Sequence, residues 1–144
     1  MNYRILSKIR PGDSQIRYWV QCRKHWWNKW IEAPIIGYWS HCVVKRGYSF
    51  MDDEYVARFI MDNLKKYVQK YKGFNIYPIF NWTSDRDDEI VFSYKLKGFT
   101  CIKPDYHNCI SSDVIQHIFE NVEEVKKFID IYSINNKEQT KILK

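Results

Sequence analysis

The sequence predicts an α+β fold in which antiparallel strands and two helices enclose one aromatic-rich core. Three observations lead to this class, and the first two are strand-like runs in which apolar residues alternate and two segments in which apolar residues recur at helical spacing. The third observation is composition. Aromatic residues make up 17% of the chain and hydrophobic residues 45%, and aromatic rings bury large areas on pleated sheets. With 144 residues the chain is long enough to bury a sizeable core.

The N-terminal region is predicted to form a β-hairpin. Its two strand-like runs, YRILSKI and IRYWVQCRK, are separated by a Pro11-Gly12 turn. Alternate residues of the second run fall on opposite faces. The face that we assign to the core carries Tyr18, Val20 and Cys22, and the opposite face carries Arg17, Trp19, Gln21 and Arg23. A further pair of strands is expected between Trp30 and Lys45, with breaks at Ala33-Pro34 and Gly37.

Two amphipathic helices are predicted where the apolar period changes to about 3.6 residues. The first is expected to begin at an Asp52 cap and to run to about Tyr71. The second is expected to begin at Asn121 and to run through Tyr132, because Glu124 lies at the spacing of a capping box. Each helix presents one apolar stripe that requires a sheet beneath it.

Between the helices the sequence predicts a second hairpin. The runs FNIYPIF and IVFSYKLKG flank the turn-rich segment SDRDD. Pro78 lies inside the first run, so its strand is expected at a sheet edge or at a bulge. The stretch from Val114 to Phe119 is a further candidate strand.

The two parts of the chain are similar in sequence. Residues 49–60 and 118–129 align without gaps at an offset of 69 residues, which pairs Phe50 with Phe119 and Asp52 with Asn121. We therefore predict two related halves that share the core, each a small antiparallel sheet followed by one helix. Their bounds are residues 1–72 and 73–132, followed by a frayed polar tail at 133–144. Coincidental similarity is the alternative, because caps and apolar periodicity are generic.

Positive charge is concentrated at the N-terminal end of the chain. The first 50 residues contain nine Arg or Lys residues and two acidic residues, for a formal charge of +7, whereas the remainder carries −1. Such a basic region fits a phosphate backbone or an acidic protein surface, and solubility alone is the alternative explanation. No secretory signal and no run of about 18 consecutive apolar residues is present. We therefore expect a soluble cytoplasmic protein, with free thiols at its four cysteines.

A binding surface is predicted in the segment RYWVQCRKHWWNKW, which combines cationic side chains with tryptophan and tyrosine. Guanidinium groups bind phosphates or carboxylates, and an exposed indole stacks on a base or anchors a protein interface. The predicted surface consists of Arg17, Trp19, Arg23, Lys24, His25, Trp26, Trp27, Lys29 and Trp30. Among the last three tryptophans we expect at least one in the core and at least one partly exposed. The alternative is that a helix covers Trp19 and that the later tryptophans fill the space between the halves.

Candidate catalytic and metal-binding groups are scattered. Cysteines and histidines occur as Cys22-x-x-His25, as His41-Cys42 and between Cys101 and Cys109, but no CxxC pair occurs. Asp105 and His107 could accompany Cys101 or Cys109 in catalysis, although the sequence lacks a nucleophile elbow. The acidic run at 85–89 lacks the spacing of a calcium loop, and no glycine-rich phosphate cradle is present. We therefore predict no catalytic residues, no metal and no cofactor.

One resemblance adds to this interpretation. Tyr3-Arg4-Ile5, then Tyr18-Trp19-Val20-Gln21, then Trp26-Trp27-Asn28-Lys29-Trp30, and finally a Phe with a helix cap follow one another in this order. The pattern resembles short uncharacterised accessory proteins encoded by phages and mobile elements of Bacteroidota-like bacteria, over the first half and the last helix. The resemblance implies a small accessory protein that binds a host enzyme, including as an inhibitor of nuclease-based immunity. It assigns no functional residues.

The sequence thus predicts a non-catalytic binding protein. Its sharpest form, which rests on the resemblance, is a phage-encoded, anti-CRISPR-like inhibitor of a nucleic-acid-handling defence enzyme in the host cytoplasm. The expected partners are a host protein or a nucleoprotein complex, with nucleic acid as a further candidate and no membrane. One alternative is a small enzyme acting on nucleotides or nucleic acid through Asp105 and His107 or a cysteine. The other is a structural or assembly component.

Overall fold

Two β-sheets and two helices make up the part of the chain that the computed structural model describes, which is residues 1–12, 14–39, 42–46, 50–86, 89–102 and 118–142. The first sheet has the order β1-β2-β3, with β1 Asn2–Ile9, β2 Ile16–Arg23 and β3 Ile31–Glu32. The second contains β4 (Ile35–Trp39), β5 (Cys42–Arg46), β6 (Gln69–Tyr71), β7 (Phe74–Arg86) and β8 (Glu89–Ile102). The helices are α1 (Glu54–Tyr67) and α2 (Val122–Ile142). The predicted α+β class is confirmed.

The first sheet is built on the predicted N-terminal hairpin. Strands β1 and β2 pair antiparallel over their whole length, from Asn2 opposite Arg23 to Ile9 opposite Ile16. Gly12 lies in the turn with a φ of 105°, a conformation that glycine adopts without a steric penalty. Val20 and Cys22 are buried, as the predicted alternation requires. Strand β3 then pairs antiparallel with the end of β2.

Strand β7 organises the second sheet. One of its edges pairs antiparallel with β8, which confirms the second predicted hairpin, and its other edge pairs with both β6 and β4. The pairing with β4 is parallel and sets Ile36 opposite Ile79. The strand pair predicted between Trp30 and Lys45 corresponds to β4 and β5. Gly37, however, lies inside β4 rather than at a break, and it pairs with the buried Phe80 of β7.

Pro78 lies in this central strand and not at a sheet edge. The residue opposite it, Phe99, exchanges both of its backbone hydrogen bonds with Phe119, at 2.8 and 2.9 Å, and needs none from Pro78. On the other edge of β7, pairing with β6 ends at Ile76 and pairing with β4 begins at Ile79. The missing N–H of Pro78 therefore falls between two partner strands, where it interrupts no ladder. The alternative that we predicted, an irregularity, is present, since the register with β8 shifts immediately after Ile79.

Helix α1 begins one residue later than predicted and ends about four residues earlier. Its cap is Asp53 rather than Asp52, because the Asp53 carboxylate accepts a hydrogen bond from the Tyr55 N–H at 2.8 Å. The helix ends at Tyr67 instead of about Tyr71, since the chain becomes extended at Val68. The following residues leave the helix to pair with β7 as β6, so a tertiary pairing overrides the local periodicity.

Helix α2 begins near the predicted Asn121 cap, whose side chain accepts a hydrogen bond from the Glu124 N–H at 2.9 Å. The helix continues to Ile142, so most of the predicted frayed tail is helical, consistent with a segment that lacks glycine and proline. Asp130 ties the helix to the sheet by accepting hydrogen bonds from Lys72 and Tyr71, and these bonds hold the pKa of Asp130 below its usual range. In the described part of the chain, neither helix is both long and apolar enough to cross a membrane.

The buried residues form two clusters. The single aromatic-rich core that we predicted is therefore not confirmed. One cluster lies between α1 and both sheets, and it includes Val20, Ile60 and Phe80. The other lies beneath α2 and includes Ile76 and Ile129. Leu96 packs against both clusters. Most fully buried side chains are aliphatic, while many rings lie at the margins of the clusters or on the surface.

Both helices are preceded by a similar local arrangement. An isolated β-bridge joins Tyr18 to Met51 ahead of α1, and another joins Phe99 to Phe119 ahead of α2. In each case the cap residue follows two positions after the bridge, so the structural offset is 68 residues, one fewer than in the gapless alignment. The division into two related halves stays a prediction. The second sheet takes β4, β5 and β6 from residues 1–72 and β7 and β8 from 73–132.

Gly98 is a position where a methyl group is expected to destabilise the fold. A Cβ atom there would lie 2.6 Å from the Phe119 carbonyl oxygen and 2.7 Å from Cγ2 of Ile118. Because the clash involves backbone, the chain between β8 and α2 must shift. Gly98→Ala is expected to lower the free energy of unfolding by about 1–3 kcal/mol, measured by chemical denaturation. Lys95→Ala, at an exposed position of the same strand, is the control. Equal stability of the two variants would contradict this packing.

Candidate functional site

The outer face of the first sheet, opposite the buried residues, carries alternating cations and rings. The register sets Lys8 opposite Arg17, Leu6 opposite Trp19 and Arg4 opposite Gln21. Because side chains directly opposite one another share a face, these residues project together from the sheet. We call the following set the basic face: Arg4, Lys8, Arg17, Trp19, Arg23, Trp30 and Phe50.

Trp30 lies between two guanidinium groups on this face. The Cζ atoms of Arg4 and Arg23 are each 4.3 Å from the centroid of the Trp30 ring. Arg4 also donates a hydrogen bond from Nε to the side-chain oxygen of Gln21 at 2.8 Å. Contacts of this kind stabilise by about 0.5–1 kcal/mol each at exposed sites, so the ring orders both arginines. Trp30 occupies this position because the next residue, Ile31, begins β3 opposite Cys22.

A second cation and ring group lies further along the face. The Arg17 Cζ atom is 4.2 Å from the Phe50 ring centroid, and the Phe50 and Trp19 rings are 6.0 Å apart. The Lys8 ammonium lies 5.6 Å from the Trp19 ring. The backbone exchange between Tyr18 and Met51 holds Phe50 beside the sheet. Every ring of the basic face is therefore in contact with a cation.

No carboxylate among the described residues neutralises the cations of the basic face. Within the described residues, Arg4, Lys8, Arg17 and Arg23 form no ion pair. Among the described residues, the Nε atoms of Arg17 and Arg23 are buried without an acceptor. The Arg17 group lies over the Phe50 ring, and the Arg23 group contacts the Trp30 ring and the Trp26 carbonyl. One acidic residue, Glu32, lies on the same face, opposite Gln21. The face therefore has a surplus of positive charge that is available to an anionic ligand.

A tight turn at one end of the basic face displays two indoles to solvent. We call residues 25–28 the tryptophan turn. Trp26 is 74% exposed and Trp27 is 64% exposed. The Asn28 N–H donates to the His25 carbonyl at 2.9 Å, and the Asn28 side-chain oxygen accepts from the His25 N–H at 2.9 Å. Because both bonds close the same turn, the two indoles project from a structured loop rather than from a disordered one.

The aromatic rings of the tryptophan turn pack against one another. The imidazole of His25 stacks on Trp27 with centroids 4.5 Å apart and an angle of 8°. The two indoles meet edge to face, at 5.7 Å and 86°. Arg23, which lies over Trp30, also donates from Nη1 to the Trp26 carbonyl at 2.8 Å. This guanidinium group therefore fastens the turn to the basic face.

All nine residues of the predicted binding surface lie within the described part of the chain. The two-faced character of β2 is confirmed: Arg17, Trp19 and Arg23 lie opposite the buried face and are half-buried. The exposed members are Lys24, His25, Trp26, Trp27 and Lys29. The expectation that at least one of three tryptophans is core is wrong, because Trp30 is half-buried under guanidinium groups and the others are exposed. The alternative that a helix covers Trp19 is not what the structure shows, because the ring beside Trp19 is that of Phe50.

Three members of the basic face were missed by sequence reasoning. Arg4 and Lys8 lie on β1, and their position beside β2 depends on the strand register, although their spacing of four residues already sets them on one face. Phe50 comes from the chain segment before α1 and reaches the sheet through the isolated bridge at Met51. No local signal indicates that bridge.

The described residues give little support to the alternatives of a catalytic or metal-binding site. Cys101 is buried, and burial raises the pKa of its thiol to about 11; burial also raises the pKa of Cys22. A thiol with a raised pKa is the opposite of an activated nucleophile. Asp105, His107 and Cys109 lie outside the described residues, as do residues 114–117 of the candidate strand predicted from Val114 to Phe119. Nor do three or more His, Cys, Asp or Glu side chains in the described ranges come together as metal ligands do.

Comparison with protein-family models finds no family that matches this chain, and comparisons with curated proteins and with solved structures find no significant similarity.

Proposed function

We propose that this chain is a non-catalytic binding protein that holds nucleic acid, free or within a nucleoprotein complex, on its basic face and tryptophan turn. The observation that carries the proposal is a set of four cations that pair with no carboxylate of the described residues and lie over aromatic rings beside two exposed indoles. Phosphates supply the missing anions, and nucleobases supply flat partners for the indoles.

The arrangement of the cations supports an extended anionic ligand. The cations project from two paired strands, with Lys8 opposite Arg17 toward one end and Arg23 at the other end of β2. A strand rises about 3.3 Å per residue, so the positive charges extend along roughly 20 Å of sheet. A phosphate backbone presents charge over such a length, and neutralising it releases condensed counterions.

An acidic protein surface is the competing ligand. It would use the same cations, and protein interfaces are also enriched in tryptophan and arginine. The two ligands differ in what removes them, because nuclease digestion releases a nucleic acid and leaves a protein bound. The resemblance to phage-encoded accessory proteins adds a biological role to the proposal. As an inhibitor, the chain would bind the nucleic acid of a defence complex or block the channel that holds that nucleic acid.

Recovery of nucleic acid from the native cell tests the proposal. The tagged chain is expected to co-purify with nucleic acid. Nuclease treatment is expected to release any protein that is bound to the chain through this nucleic acid. Arg17→Gln/Arg23→Gln should lose most of this recovery. Lys65→Gln/Lys70→Gln, which removes the same charge from exposed positions on α1 and β6, should retain it. A protein complex that survives nuclease, with no nucleic acid recovered, would overturn the proposal in favour of a protein ligand.

A further inference from the structure

We infer that the tryptophan turn makes the site selective for single-stranded nucleic acid, whose unpaired bases stack on Trp26 and Trp27 while the basic face holds the phosphates. This inference rests on the proposed function, and it adds the class of nucleic acid that the site takes. The exposure of the two indoles, their fixed arrangement and the charges around them support it.

The exposure of both indoles leaves ring surface available for stacking, although His25 already stacks on one face of Trp27. Trp26 and Trp27 are 74% and 64% exposed, although indoles usually bury most of their area. In a duplex the flat faces of the bases are already stacked on one another, and only their edges and the phosphates are accessible. A single strand offers those flat faces, and aromatic side chains stack on them with little dependence on sequence. The indoles therefore match a ligand that has unpaired bases.

The fixed arrangement of the turn reduces the cost of binding. Asn28 closes the turn through its backbone and its side chain, and His25 stacks on one face of Trp27. The two indole planes are nearly perpendicular, at 86°, so one flat base cannot stack on both rings at once. The turn therefore offers two separate platforms for two nucleotides. Rings that are ordered before binding lose less conformational entropy on binding than mobile ones do.

The charges around the turn suit the backbone of the same strand. Lys24 and Lys29 flank the turn in sequence and are both exposed. Arg23 connects the turn to the basic face, because its guanidinium group contacts both the Trp26 carbonyl and the Trp30 ring. A strand whose bases stack at the turn would thus continue with its phosphates along the cations of the sheet. This combination of stacking platforms and a basic track is typical of sites that bind single strands.

Matched oligonucleotides test the inference. The full chain is titrated into labelled DNA single strands of about 20 nucleotides, RNA single strands of the same sequence, and the corresponding DNA duplex, with fluorescence anisotropy as the readout. We expect tighter binding to a single strand than to the duplex. Trp26→Leu/Trp27→Leu is expected to weaken single-strand binding by about tenfold or more and to change duplex binding by less than about twofold. The relative affinity for the DNA and RNA single strands shows which of the two the site prefers.

A control variant separates this effect from a general loss of surface aromatics. Tyr55 is 76% exposed on α1, and Tyr55→Leu is expected to bind both ligands as the unmodified chain does. Unchanged thermal unfolding shows that the tryptophan variant is folded, as the exposure of both rings predicts. Equal affinity for single strand and duplex, or an equal loss for both in the tryptophan variant, would overturn the inference and leave the proposed function intact. Absence of binding to every oligonucleotide would overturn the proposed function itself.

Discussion

Replacing Arg4, Arg17 and Arg23 together by glutamine is expected to weaken single-strand binding by roughly a hundredfold at about 0.1 M salt. For single strands, each lost phosphate contact reduces the slope of log affinity against log salt by about 0.7, so three contacts reduce it by about 2. The three guanidinium groups lie over Trp30 and Phe50, and no carboxylate in the described ranges pairs with them, so their charge is available to phosphates. Anisotropy titrations at several salt concentrations measure both the affinity and the slope.

The matched control removes the same charge elsewhere. Lys65, Lys70 and Lys127 are exposed on the helices and on β6, away from the basic face. Changing all three to glutamine should leave the salt slope close to that of the unmodified chain, because none of them is expected to contact the ligand. An equal loss of slope in the two triple variants would mean that net charge, and not the basic face, determines binding.

Phe80→Ala is expected to destabilise the protein by about 3–5 kcal/mol, the cost of truncating a large ring in a packed core. Phe80 is fully buried, and it meets the Phe59 ring of α1 edge to face at 6.1 Å. It belongs to β7 of the second sheet, yet it packs in the cluster that also contains Val20 of β2. Its loss therefore weakens the contact between the second sheet and the sheet that carries the basic face.

Chemical denaturation followed by circular dichroism measures this effect. The expected loss is a large share of the total stability of a small domain, so the midpoint should fall markedly. Tyr55→Ala is the control, because Tyr55 is an exposed ring on the same helix that Phe80 contacts through Phe59. A loss of less than about 1 kcal/mol for Phe80→Ala would show that this ring is not the joint between the two sheets.

The parts of the fold that depend on neighbouring residues could be predicted from the sequence. The β1–β2 hairpin follows from a Pro-Gly turn between two alternating runs, and the structure confirms it. The parallel pairing of β4 with β7 could not be predicted, because Ile36 and Ile79 are far apart in sequence and no local pattern selects one strand as partner for another. The end of α1 was misplaced for the same reason: pairing with β7 draws residues 69–71 out of the helix.

The candidate site also has a part that local sequence patterns predict and a part that depends on contacts between distant residues. A period of two was enough to place Arg17, Trp19 and Arg23 on the face opposite the core. The position of Trp30 depends on the short pairing of β3 with β2, and the exposure of Trp26 depends on hydrogen bonds that close its turn. These are tertiary and side-chain effects. Composition therefore indicated which residue types form the surface, whereas the register determined which cation meets which ring.

The salt dependence of single-strand binding by the unmodified chain tests the central claim most directly. If the four cations of the basic face contact phosphates, log affinity should fall with log salt with a slope of about −3, since each contact contributes about −0.7. A slope near zero, or no binding to a single strand at about 0.1 M salt, would contradict the claim that this face and its tryptophan turn form a nucleic-acid site.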